Sequence, residues 1–149
     1  YDEPKRFIEE YFARFAGVRG FLDDTVASAR QKGYVETIFG RRRYIPELQD
    51  KNFNIRAFGE RTATNSPLQG SAADLIKIAM IRVAQSLRDG LRARLLLQVH
   101  DELVVEAPAE ETEAVAQLMK RDMEGEAALT VPLVASVGIE RDWLDAKAG

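Results

Sequence analysis

Arg94–Pro108, RLLLQVHDELVVEAP, has the pattern of two strands folded about a His-Asp pair. Leu95, Leu97 and Val99 alternate with Leu96, Gln98 and His100, and then Leu103 and Val105 alternate with Glu102, Val104 and Glu106. A period of two puts successive side chains on opposite faces, so both runs predict paired β-strands. Between them there is no glycine and no Asn-Gly. Tight two-residue hairpins recruit residues that tolerate positive φ, a role for which His-Asp is acceptable but not favoured. Two readings stand side by side. One is an ordinary hairpin whose aspartate falls in the turn; the other is a turn that gives up local stability for the chemistry of a titratable cluster.

The chain has 149 residues, of which 46% are hydrophobic, enough for one domain with a sizeable core. It opens at Tyr1 inside a helical pattern and without an initiator Met, which reads as an excised piece of something longer. There is no cysteine and only one histidine, so disulfides, thiolate metal sites and sites needing several imidazoles are excluded. A metal phosphohydrolase built on several histidines goes with them. No apolar run of about 18 residues and no signal-like N-terminus occurs, which predicts a soluble intracellular protein with no membrane partner. The net charge of -3 hides an uneven split. Residues 30–100 carry 13 basic and 6 acidic side chains, while residues 101–149 carry 4 basic and 12 acidic. A basic middle beside an acidic last third fits a polyanion-facing surface with carboxylates next to it, and it also fits an ordinary domain.

Residues 4–32 predict helix: Phe7, Ile8, Tyr11, Phe12 and Phe15 recur at helical spacing, and Val18, Phe21, Leu22, Val26 and Ala29 continue the stripe past a possible break at Gly17. Gly33 after Gln31-Lys32 predicts the helix end. The aromatics are expected to pack in the core rather than to stack on bases. GYVETIFGRRRYIPEL, residues 33–48, predicts a short hairpin or extended loop reversing at Gly40. Neighbouring arginines in extended chain point to alternate sides. Arg41, Arg42 and Arg43 therefore cannot share one phosphate, and some are expected to pair with Glu36, Glu47 or the N-terminal helices.

Helix returns from Asn54. Arg61, Asn65 and Gln69, four apart, share one face over two turns as a polar ridge. Asn and Gln carry both donor and acceptor, as contact with the minor groove of a duplex requires; the plain alternative is a solvent-exposed helix face. Pro67 lies inside this run and predicts a kink or a restart, with Ser66 as N-cap and Pro67 at the first helical position. Beyond it, Leu68, Ala72, Leu75, Ile76, Ala79, Met80, Val83, Ala84 and Leu87 predict a core helix that ends at Gly90. After the hairpin, Glu110–Met123 predicts an amphipathic helix and Val131–Ile139 a third, returning strand. Trp143 and Leu144 are expected to anchor under the sheet.

Asp101 and Glu102 offer oxygen ligands only, which suits Mg²⁺. Consecutive strand residues face opposite sides, so Asp101 is the better candidate ligand unless the turn bends the two together. A two-metal phosphoryl-transfer site needs a further aspartate, and Asp74, Asp23 and Asp24 do not stand beside the hairpin by sequence.

LLLQVHDELVVEAP closely resembles the Val-His-Asp-Glu catalytic motif in the palm of family A DNA polymerases. ERTATNSPLQGSAADLIKIAMI resembles the helix before that motif, and GYVETIFGRRRYIPEL and VGIERDWLDAK look similar to the same family, all in one collinear order. Two adjacent strands, a helix and a returning strand already predict an α+β fold, and the resemblance agrees: a small antiparallel sheet, made of the palm hairpin plus the returning strand, packed on helices. Residues 1–55 would form the fingers-side helices and the GRRR hairpin, and residues 56–149 the palm. It implies a DNA-directed DNA polymerase that joins dNMP from a dNTP to a primer 3′-hydroxyl. Asp101 and Glu102 would be the catalytic metal-binding pair, and His100, Arg61, Asn65 and Gln69 would contact primer-template DNA. Mg²⁺, dNTP and the N-terminal remainder of the polymerase are the implied partners, in the bacterial cytoplasm at the nucleoid. The family's other palm aspartate and its nucleotide-gripping helix find no match here, so the isolated chain is expected to be inactive. The rival is a non-catalytic nucleic-acid-binding α+β module, with a purely structural or oligomerising domain behind it.

Overall fold

The structure is a computed structural model and describes residues 2–125 and 129–146. Among these residues the periodic segments form five α-helices and two antiparallel hairpins: α1 (Asp2–Arg14), α2 (Ala16–Lys32), β1 (Tyr34–Glu36), β2 (Arg42–Tyr44), α3 (Phe53–Leu87), β3 (Arg94–Val99), β4 (Glu102–Glu106), α4 (Thr112–Glu124) and α5 (Trp143–Ala146). The class is α+β, as expected. The chain divides into two compact units, Tyr1–Ser71 and Ala72–Gly149. No helix among the described residues is long and apolar enough to cross a membrane.

In the first unit, α1 and α2 part at Phe15 (φ -118°, ψ 57°), two residues before the expected break at Gly17. Gly33 ends α2 as its sequence signal predicts: it adopts φ 80° and its N–H donates to the Ala29 carbonyl. The aromatic stripe is a correction. Phe7, Ile8, Tyr11, Phe15, Val18 and Phe21 remain 41–70% exposed, and the main packing partner of α1 is α2. Tyr11 packs instead on its helical neighbours Phe12 and Phe15. The core forms one step later, where Ala29 meets Val35, Ile45, Leu48 and Ala63, with Val26 against them. The β1–β2 hairpin pairs Tyr34 with Tyr44 and Glu36 with Arg42, and it reverses through Gly40 at φ 80°.

α3 runs through Pro67 without a restart, so the predicted N-cap at Ser66 is a second correction. Pro67 lacks the N–H that would bond the Ala63 carbonyl. The neighbouring hydroxyls turn back onto the helix rather than capping a new one: Ser66 Oγ donates to Thr62 O (2.6 Å) and Ser71 Oγ to Pro67 O (2.5 Å).

In the second unit, Val83, Leu87, Ala93, Leu103 and Val115 form a buried cluster flanked by Ile76, Met80, Leu95, Val105, Leu118 and Met119. These side chains come from the apolar half of α3, both hairpin strands and the amphipathic face of α4, with Ala93 from the link just before β3. Strands β3 and β4 pair from Arg94–Glu106 to Val99–Glu102, with a bulge at Leu96 that breaks the strict alternation. Leu96 and Leu97 therefore both stay exposed, at 53% and 42%. The returning strand at Val131–Ile139 does not form. That segment has no sheet partner among the described residues; Pro132 cannot donate to a ladder, and Val131 and Val134 are 65% and 73% exposed. Trp143 and Leu144 are likewise exposed rather than anchored in the core.

One buried charge joins α4 to the second half of α3. Burial opposes ionisation of Asp122, but hydrogen bonds from Arg121 and Ser86 and the charges of Arg121 and Arg82 outweigh it and hold the carboxyl below the usual carboxylate range. A lowered native value means stability that is present above the unfolded-state value of about 3.9 and lost as pH falls through the native one. Asp122→Asn should therefore cost about 1–3 kcal/mol at pH 7, with the deficit shrinking below about pH 4. Urea unfolding at pH 7 and pH 3 checks this, and a deficit independent of pH would contradict it.

Candidate functional site

The turn joining β3 to β4 is His100-Asp101, directly after Val99 and before Glu102. His100 adopts φ 53°, the one positive φ outside glycine among the described residues. For a residue with a Cβ this costs about 1 kcal/mol or more. The side chain of Gln98 steadies the strained turn, its Nε2 donating to the His100 carbonyl at 2.7 Å. A polar residue two positions before a glycine-free turn was a signal available in the sequence, and sequence reasoning passed over it. His100 and Asp101 are exposed, and neither side chain makes a hydrogen bond or ion pair among the described residues. Glu102 is half-buried at the first position of β4.

The ridge lies on α3 in the first unit. Arg61, Asn65 and Gln69 are all exposed, while Ala63 on the opposite side of the helix is fully buried. None of the three side-chain heads is committed to a hydrogen bond or ion pair among the described residues. Their polar groups face solvent, Arg61 as donor only and Asn65 and Gln69 as both donor and acceptor. At the Gln69 end of the ridge a small cleft is lined by Thr37, Arg41, Arg43, Ser66, Gln69 and Gly70, among others.

The three adjacent arginines separate as extended geometry requires. Arg41 Nη2 donates to the Gly70 carbonyl (3.1 Å). Arg42 bonds Glu36 (2.8 Å) and lies over the Tyr34 ring, and these contacts hold its guanidinium still more firmly protonated than usual. Arg43 lines the cleft. The bond from Arg41 spans 29 residues, and no local pattern could have foretold it.

Asp101 and Glu102 supply hard oxygen donors of the kind Mg²⁺ takes, and one or two carboxylates suffice where substrate phosphates and water complete the shell. Among the described residues no group of three or more His, Cys, Asp or Glu converges to hold a metal ion. Asp101 and Glu102 could by their chemistry supply at most part of a metal ion's oxygen shell.

The family model for DNA polymerase family A matches residues 1–145. The chain belongs to DNA polymerase family A. It is 52% identical over 147 residues to the thermostable DNA polymerase I of Thermus aquaticus and 54% identical over 146 residues to DNA polymerase I of Bacillus subtilis. Those matches cover 99% and 97% of this chain but only 18% and 17% of the relatives. Among solved structures it is similar to the POL domain of Pol1 from M. smegmatis, in complex with DNA primer-template and dNTP, with a TM-score of 0.95 and 50% identity. That match covers 98% of this chain and 26% of the other.

The strained turn makes its own prediction for this family member. His100→Gly should raise stability by about 0.5–1 kcal/mol, because glycine adopts the left-handed conformation without a Cβ clash. Thermal unfolding measures it; a loss of stability would mean that the imidazole packs on the hairpin.

Proposed function

We propose that this chain is the part of a DNA-directed DNA polymerase that grips the primer-template duplex and presents one carboxylate pair to the reacting phosphate. The carrying observation is the family match over residues 1–145, together with the uncommitted side chains of Arg61, Asn65, Gln69 and Asp101. The relatives are DNA polymerases by name, and the structural neighbour was solved with primer-template and dNTP. In this reading residues 1–55 belong to the fingers side and residues 56–149 to the palm. The whole enzyme works in DNA replication and repair in the cytoplasm, at the nucleoid.

Arg61 neutralises a backbone phosphate, and Asn65 and Gln69 bond the minor-groove acceptors that A·T and G·C pairs share, which fits a polymerase that must accept every sequence. His100 rests against the primer end. Asp101, with Glu102 assisting, would hold Mg²⁺ jointly with a further carboxylate from the remainder of the polymerase. When bound, the metal lowers the pKa of the primer 3′-hydroxyl and neutralises charge on the triphosphate. The work of this chain is positioning: the ridge fixes the duplex, and the turn fixes the carboxylate.

A chimera in which this chain replaces the matching segment of the Thermus aquaticus relative should extend a primer. Asp101→Ala in that chimera should slow extension about a thousand-fold, about 4 kcal/mol of barrier, while leaving duplex affinity within about twofold. Arg61→Ala should weaken duplex binding on all sequences alike and reduce the salt slope by about one. A chimera that binds duplex but never extends it, with or without Asp101, would favour the non-catalytic binding module. This chain alone, lacking a complete metal cluster among its described residues, should give no extension product with Mg²⁺ and dNTP.

A further inference from the structure

Gln69 occupies a turn of α3 that the helix alone holds poorly and the β1–β2 loop holds well. Pro67 removes the rung that would bond the Ala63 carbonyl, one turn before the ridge ends. Residues 37–41 dock on this turn. Their loop is organised by Thr37, whose Oγ1 accepts from the N–H groups of Phe39 (3.3 Å) and Arg41 (3.2 Å) and whose N–H donates to the Arg41 carbonyl (2.9 Å). Ser71 Oγ accepts the Ile38 N–H at 3.0 Å while donating to Pro67 O at 2.5 Å, so one hydroxyl ties the loop to the turn. Arg41 reaches the Gly70 carbonyl, and a Cβ on Gly70 would stand 2.7 Å from Thr37 Cγ2. Only a residue without a side chain lets the loop approach this closely.

Gln69 lies between these contacts, one residue before Gly70 and two before Ser71, with its own side chain exposed. Ser71 is 8% exposed and cannot itself touch a duplex. We propose that Ser71 and Gly70 are positioning residues: by docking the loop of residues 37–41 on this turn they fix the direction in which Gln69 meets the DNA. The inference rests on the proposed duplex contact of Gln69.

Affinity for a fluorescent primer-template duplex tests it on the 149-residue chain and on Gln69→Ala, Ser71→Ala, Gly70→Ala and the two double variants that combine Gln69→Ala with each of the others. Ser71→Ala and Gly70→Ala should each weaken binding about three- to tenfold, the size expected when one hydrogen bond is misaligned. Alanine ordinarily strengthens a helix relative to glycine, so a loss from Gly70→Ala reports the docked loop rather than a weakened helix. Hydrogen exchange at the Ile38 amide should quicken in Ser71→Ala, marking release of the loop. In the Gln69→Ala background neither change should cost anything further. Losses that add in full to that of Gln69→Ala, or a released Ile38 amide with unchanged affinity, would overturn the positioning role while leaving the duplex reading intact. A Gln69→Ala chain that binds as tightly as the parent would overturn both at that residue.

Discussion

Burial of Leu103 against Val83, Leu87, Ala93 and Val115 is what allows a glycine-free two-residue turn to exist between β3 and β4. Fully burying a leucine is worth about 1.5–3 kcal/mol, and the β3–β4 ladder adds to it on both sides of the turn. A left-handed histidine costs about 1–2 kcal/mol. Burial and pairing together outweigh that strain, and the hairpin keeps a histidine and an aspartate where glycine would be easier. The bulge at Leu96 lies on the far side of the same ladder, so the strand is regular only from Leu97 to the turn. Asp101 is thereby carried at the end of a short, rigid stem.

A similar balance governs α3. A proline inside a helix usually breaks or kinks it, at about 3 kcal/mol or more, yet this helix continues. Ser66 and Ser71 turn back onto the preceding turn, the loop at residues 37–41 contributes a backbone N–H and a guanidinium, and Ala63 is fully buried directly beneath. The result is an exposed row of three polar side chains on a helix held from its other side. Rigid support under adaptable donors and acceptors suits the duplex contact proposed for this row.

The elements that the sequence announced are those whose signals are local. The alternation at Arg94–Glu106, the glycines at 33 and 40, the i, i+4, i+8 row at Arg61, Asn65 and Gln69, and the apolar face of α3 depend on neighbours within two turns or one strand. The expectations that failed depend on partners far along the chain, or on partners not found among the described residues. Val131–Ile139 has strand composition, but a strand exists only beside another strand. The α1 aromatics and Trp143 have core composition, but burial needs a covering surface. At Pro67 the sequence rule was sound and lost to tertiary contacts, chiefly Ile38 with Ser71 and Arg41 with Gly70, both separated by about thirty residues. Leu96 looked like part of a regular alternation because a bulge leaves no mark in composition.

Holding a divalent cation through Asp101 is the role proposed for the strained turn. Paramagnetic broadening of backbone amide signals by Mn²⁺, standing in for Mg²⁺, tests it on the chain bound to a primer-template duplex and dNTP. Substoichiometric Mn²⁺ should broaden the amides of residues 99–103 first, and Asp101→Asn should abolish this. Broadening centred instead on the acidic run Glu110, Glu111 and Glu113, and unchanged in Asp101→Asn, would contradict it.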